Sequence, residues 1–304
     1  MTYLIQTSEA HSASIHPLLH ADEIGYVHSI FQNGWNIRMG DGLIFIGGMK
    51  NGQLPFGIHL DDEQVPQLIA LLHQGDAVLY DRVMSSLFFS SFCIKLDRPR
   101  AYDSTIGLAE VQPEALLSSL GVFASEIGAY RRPTGTGIQV EHFTECILVR
   151  SYASCSDHEH KAIQLMNSVQ MQSLSLIDET LRYWMGRGNG LTPSGDDMLT
   201  GILAGDAITG ICSDRFRQHL SELIELEALT TDISREYLRY ALKGQFSSVV
   251  SNVLHALALG DTGNLMKRTR ELLSVGHSSG LDTAFGILLG MLTIGRNPIW
   301  HKKS

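Results

Sequence analysis

GRGNGLTPSGDDMLTGILAGD, residues 186–206, is answered later in the chain by GHSSGLDTAFGILLG, residues 276–290. Setting Ser194 against Ser279 gives S-G-x-D-x-x-x-G-I-L-x-G in both, seven identical residues in twelve. They are Ser194/Ser279, Gly195/Gly280, Asp197/Asp282, Gly201/Gly286, Ile202/Ile287, Leu203/Leu288 and Gly205/Gly290. In each copy a Ser-Gly-x-Asp turn runs into a helix, and the aspartate and the two later glycines lie four apart, on one face. Glycine inside a helix costs about 1 kcal/mol against alanine. Carrying that cost at four places predicts that the two helices cross closely at their glycine faces, in an approximate two-fold arrangement that brings both starts and both carboxylates to one pocket.

Gly186, Gly188 and Gly190 form a flexible lead-in to the first copy. Thr192 is suited to cap the helix and Pro193 to its first position, leaving Ser194 to Asp197 in the first turn. Unfilled N–H groups, a hydroxyl and a glycine without a side chain are the parts of an anion site. Gly188, Gly190, Thr192, Ser194, Gly195, Ser278, Ser279 and Gly280 are therefore candidate anion contacts. Arg187 supplies a guanidinium for a carboxylate or phosphoryl oxygen, and Asn189 an amide donor. Asp197, Asp282 and His277, the last able to titrate near neutrality, are the candidate catalytic groups. Paired carboxylates beside an anion site suit either a divalent metal, with Asp196, Asp197 and Asp282 as ligands and Mg2+ as the ion, or a carboxylate acting as base. The plainer alternative is that both aspartates favour the helix dipole and the glycines only let two core helices approach. In TTDISREYLRYALKGQFS, residues 230–247, Thr231, Ser234 and Tyr237 would either hydrogen-bond a ligand or cap and pack a helix.

Outward from these blocks, the chain from residue 156 reads as helical. Ser156 or Asp157 can cap one long helix to about Met185, with Met171 and Leu174 in its buried stripe, and further helices fit 193–210, 214–228, 232–243, 247–259, 262–274 and 282–294. The first 110 residues instead carry short apolar runs between Gly, Asn and Asp. Strands are expected at Trp35–Met39, Leu43–Gly47, Gln53–Ile58, Ala77–Tyr80 and Leu87–Leu96, and a short helix at Asp62–Leu72. A helix at 113–128 and a strand at Phe143–Arg150 complete the pattern. The fold class is α+β: a mostly antiparallel β-rich domain over 1–150, then a compact α-helical domain over 156–304.

The 304 residues are 44% hydrophobic and 18% charged, with a formal charge of -9, which describes a folded globular chain. No basic stripe tracks a phosphate backbone, so nucleic acid is not the expected partner. Cys93, Cys146, Cys155 and Cys212 lack zinc-ligand spacing and read as free thiols. His11, His16, His20, His158 and His160 do not form H-E-x-x-H. The RRPTGTG segment, residues 131–137, lacks the G-K-[ST] ending of a P-loop and is expected only as an accessory loop facing the pocket. The N-terminus shows no signal-peptide pattern, and the longest apolar run, Ala284 to Ile294, is too short to span a membrane, so a cytoplasmic location is expected.

The GRGNGLTPSGDDMLTG block, the TTDIS segment with Tyr237 and Gly244, and GHSSGLDTAFGILLG together resemble the AllH family, formerly a family of unknown function and now named for a subunit of oxamate carbamoyltransferase. The layout matches over most of the chain, and the specific motifs lie in the helical half. The resemblance implies an enzyme of anaerobic allantoin catabolism that exchanges a carbamoyl group between oxamate and phosphate, linking oxalurate to carbamoyl phosphate. It also implies two larger partner subunits, with homo-oligomerisation left open. These compounds are all small anions, as the helix-start reading requires. The second expectation is a noncatalytic anion-binding or assembly subunit with a regulatory role.

Overall fold

The computed structural model describes residues 4–21, 23–96, 101–107 and 113–294. By packing it forms two compact units, Met1–Thr105 with Phe246–Ser248, and Ile106–Gln245 with Val249–Ser304.

The first unit is built on a ten-stranded sheet: β1 (Leu4–Thr7), β2 (Ala10–Ser12), β3 (Ile24–Phe31), β4 (Gly34–Met39), β5 (Gly42–Gly47), β6 (Gly57–His59), β7 (Ala77–Asp81), β8 (Ser86–Phe88), β9 (Phe92–Lys95) and β10 (Ala101–Tyr102). The spatial order is β1-β9-β8-β7-β3-β4-β5-β6-β2-β10. Pairing is antiparallel except at β1/β9, β5/β6 and β2/β10. Gly40, at φ +58°, turns β4 tightly into β5, and every residue of β5 is buried, as its continuous apolar run requires. Two short helices, α1 (His16–Ala21) and α2 (Val65–Ile69), pack on β4. Trp35 of β4 meets Phe89 and Phe92 edge to face. His59 sits in the interior, accepting at Nε2 from Leu54 N–H at 3.1 Å, with the Tyr102 hydroxyl 2.9 Å from the same atom. Burial lowers its pKa to about 4.

Two expectations in this unit change, and strands outside the expected ones appear. The run Leu87–Leu96 is a hairpin, β8 and β9, because Phe89 to Ser91 turn. Of Gln53–Ile58 only the end is strand. β3 escaped the sequence reading because a register shift between Val27 and Ser29 breaks the alternation that identifies a strand.

The second unit is helical: α3 (Pro113–Ala129), α4 (Val140–Val149), α5 (Asp157–Ser168), α6 (Leu174–Trp184), α7 (Ser194–Thr209), α8 (Asp214–Leu226), α9 (Asp232–Ala241), α10 (Ser248–Leu259), α11 (Thr262–Leu273) and α12 (Ser279–Ile294). Two corrections follow here also. The expected strand at Phe143–Arg150 is helix α4: its residues favour strands individually, but Val140, Phe143 and Cys146 are buried three apart, and Phe143 packs edge to face on Phe285 of α12. The single helix expected over 156–185 breaks between Ser168 and Leu174, where Ser213 donates its N–H to Val169 O and its hydroxyl to Met171 O. Met171 and Leu174 are exposed rather than part of a buried stripe. Ser156 and Glu159 close a full capping box on α5. α3 and α4 pack with the helices of this unit, which begins at Ile106. Among the described residues no helix is long and apolar enough to cross a membrane.

Candidate functional site

The two repeat helices, α7 and α12, lie against each other at the centre of the helical unit. A methyl group added to Gly201 would stand 2.1 Å from Thr283 O and 2.8 Å from Gly286 Cα, and one on Gly286 would stand 2.1 Å from Met198 O. Here the backbones touch. One turn on, Gly205 has 3.6 Å to its nearest neighbour, so the helices diverge from a crossing at Gly201 and Gly286.

The first glycine of each copy has a different task. A Cβ on Gly195 would meet Trp184 O at 2.0 Å, and one on Gly280 would meet Leu272 O at 1.9 Å, so each turn folds onto the end of the helix before it. Their N–H groups are already bonded, Gly195 to Arg187 O at 2.8 Å and Gly280 to Val275 O at 3.1 Å. The anion role expected of these two N–H groups is thus taken up by the turn's own backbone. Thr192 is not a cap either: α7 has no side-chain cap, and Thr192 Oγ1 lies 3.0 Å from Ser279 Oγ of the other copy.

At the crossing the copies serve each other. The Ser279 hydroxyl, with that of Thr192, reaches Asp197, while the Ser194 hydroxyl, with that of Ser278, reaches Asp282. Asp282 also accepts the Gly135 N–H at Oδ1, 2.9 Å away. Each aspartate nevertheless keeps a buried Oδ2 without a donor. Burial raises both above the ordinary carboxylate range, Asp197 strongly, and the charge of Asp282 adds to the rise at Asp197. Tyr237 lies beside Asp197 and is raised by burial and by that carboxylate.

Asp196 faces the other way. Its Oδ1 accepts Gly186 N–H at 3.0 Å and its Oδ2 the Thr230 hydroxyl, so it ties the glycine lead-in to the segment that enters α9. Burial raises Asp196 as well. Both its oxygens accept hydrogen bonds within the helical unit, and among the described residues no group of three or more His, Cys, Asp or Glu is placed to hold a metal ion. Thr231 caps α9 by accepting Ser234 N–H at 3.1 Å and donates to Leu191 O at 2.6 Å, which is the capping alternative.

Above the paired serines opens a cavity of about 720 Å³. Of the expected contacts, Asn189, Gly190, Thr192 and Ser194 line it from the first copy, and His277, Ser278 and Ser279 from the second. Gly188 stays beneath, where its backbone faces the Ser194 amide. Arg187 does not line the cavity: its guanidinium stacks on the Tyr183 ring, 3.9 Å from the centroid, and donates to Tyr183 O at 2.7 Å. The guanidinium at the cavity is Arg132, from the 131–137 loop, with Tyr130 and Thr134 beside it. That loop is fastened by Thr134, which exchanges bonds with Ile138, and Gly137 takes φ +86°. Gly135 admits no side chain, since a Cβ there would strike the Ser194 hydroxyl at 2.0 Å. The RRPTGTG string marked the loop in the sequence, but nothing in it said which arginine would face the repeat. The cavity lining holds Arg132 and His277 and no carboxylate, because both aspartates lie behind serine hydroxyls. In a chain of charge -9 this is a local reversal that suits an anionic ligand.

A family model described as oxamate carbamoyltransferase subunit AllH matches residues 184–291, and one described as the AllH family N-terminal domain matches residues 6–101. The first spans both copies of the repeat. No solved structure matches the chain.

Proposed function

The chain belongs to the AllH family, and from that premise we propose that it is a subunit of an oxamate carbamoyltransferase whose small anionic substrates bind in the cavity over the paired repeat. The observation that carries this reading is the reciprocal pairing: each cavity-facing serine, Ser194 or Ser279, is backed by a buried aspartate of the other copy. In the direction from oxalurate, a phosphate oxygen attacks the carbamoyl carbon, the C–N bond breaks, and oxamate leaves once its nitrogen has gained a proton. A buried carboxyl with a raised pKa holds such a proton, and the serine hydroxyl in front of it passes it on. Hydroxyls aimed at the carbamoyl oxygen stabilise the charge that develops there. Arg132 is the group suited to the substrate carboxylate. The larger subunits named in the resemblance complete the assembly.

The test is reconstitution of the purified chain with the two larger subunits, followed by oxalurate phosphorolysis. Ser194→Ala and Ser279→Ala are expected each to lower kcat by about 100-fold, the scale of a lost acid–base contact. Arg132→Gln is expected to raise KM for oxalurate more than it lowers kcat. Full activity in all three variants would overturn the assignment of the site. Activity of the larger subunits without this chain would leave it the regulatory role.

A further inference from the structure

Away from the cavity, α4 and the first turn of α5 bring together a thiol, an imidazole and a carboxylate. Cys146 Sγ lies 3.7 Å from His142 Nε2, one helical turn back, and 3.6 Å from Ser154 Oγ. His142 Nδ1 lies 2.9 Å from Glu159 Oε1. Glu159 is fixed in turn, because its Oε2 accepts the Ser156 N–H at 2.7 Å in the capping box of α5. Burial works to raise Glu159, but the bonds from His142 and Ser156 outweigh it and keep the carboxylate ionised. The bond from Glu159 and its charge raise His142. A carboxylate at Nδ1 holds the ring proton there, which leaves Nε2 as an acceptor facing the Cys146 thiol. Cys155 directly follows Ser154, whose hydroxyl is 3.6 Å from Cys146 Sγ, so the chain carries the second thiol next to the first, and burial together with Cys146 holds it above its ordinary value. His142 and Cys155 are partly open to solvent and flank the buried Cys146 sulfur, so a small oxidant has a short approach.

We propose that Cys146 and Cys155 form an oxidisable dithiol, in which Cys146 is the thiol attacked by a hydroperoxide and Cys155 the thiol that resolves the product. The Cys146 thiol gives its proton to His142 Nε2, and the thiolate attacks a peroxide oxygen. The O–O bond breaks, the leaving oxygen takes the proton from His142 and departs as water or an alcohol, and the sulfur becomes a sulfenic acid. The Cys155 sulfur then attacks the Cys146 sulfur. The S–S bond forms, the S–OH bond breaks, and the hydroxyl leaves with the Cys155 proton as a second water. Cys212 is an internal control, since burial and then Asp206 push its thiol far up.

The test uses the full chain and hydrogen peroxide. Trypsin cuts after Arg150, between the two cysteines, so the expected product is a cross-linked peptide pair lighter by two hydrogens, with Cys93 and Cys212 still alkylatable. In Cys155→Ser, dimedone should label Cys146; in Cys146→Ser, neither a cross-link nor a dimedone adduct should form. His142→Gln is expected to slow cross-linking about 100-fold, the lower end of what a positioned general base contributes. Circular dichroism and the Tm of each variant establish that it is folded. Four free thiols after peroxide treatment, or a cross-link to Cys93 or Cys212, would overturn the proposal. An unchanged rate in a folded His142→Gln variant would remove His142 from it.

Discussion

Asp197 and Asp282 are held where a carboxylate is not at ease. Their folded pKa values stand above those of the unfolded chain, so the stability they contribute is complete below the unfolded value and is lost as pH rises through the folded one. At neutral pH each therefore weakens the fold relative to an uncharged isostere. Asp197→Asn is expected to unfold at a higher urea concentration than the parent chain and to lose carbamoyl transfer in the reconstituted enzyme. A loss of stability in that variant would show that the carboxylate is structural. Asp282→Asn should behave alike, since an amide oxygen can still accept the Gly135 N–H. Both aspartates were legible in the sequence because the repeat duplicates them. Arg132 was not, and Arg187 was chosen in its place because it adjoins the motif. Adjacency does not set direction: Gly186 and Gly188, at φ +69° and +116°, turn the chain on either side of Arg187, and its side chain leaves along Tyr183.

Between helices, the four repeat glycines divide into a pair at the crossing and a pair beyond it. Gly201→Ala would drive a methyl onto Thr283 O and is expected to cost about 1–3 kcal/mol, the range for overpacking. Gly205→Ala has 3.6 Å of room and should be neutral or gain up to about 1 kcal/mol from helix propensity. Urea midpoints of the two variants check the pair, and equal losses would contradict a crossing centred at Gly201. Gly201→Leu should prevent α7 and α12 from packing at all. The crossing itself could be anticipated, because small residues four apart on two helices have few other uses. Whether each first-turn N–H group was free could not, because its partner is the carbonyl of a residue whose position depends on how the turn closes. The same limit applies to α4, whose β-branched and aromatic residues carry a strand signal that packing on α12 overrides.

Over the whole molecule, acid acts with opposite sign on two sets of buried groups, His59 in the first unit and the repeat aspartates in the second. In the first unit His59 is kept neutral, with a folded pKa of about 4 against 6.5. Its contribution is present above the unfolded value and lost as pH falls toward 4, roughly 3 kcal/mol in all. In the second unit Asp196, Asp197 and Asp282 favour the fold more as they take up protons over the same fall. Pulsed hydrogen exchange in urea should therefore show β4 and β5 losing protection at lower urea at pH 5 than at pH 7, with a smaller loss or a gain in α7 and α12. A uniform loss across both units would contradict this. The α+β class, the paired Ser-Gly-x-Asp helices and their close crossing follow from periodicity and glycine placement, local constraints that any fold of this chain must satisfy. Helix packing is what sets each serine on the other copy's aspartate, brings Arg132 rather than Arg187 to the cavity, and commits Asp196 to Gly186 and Thr230. Those are contacts between residues far apart in the chain, and their geometry exists only once the helices have packed.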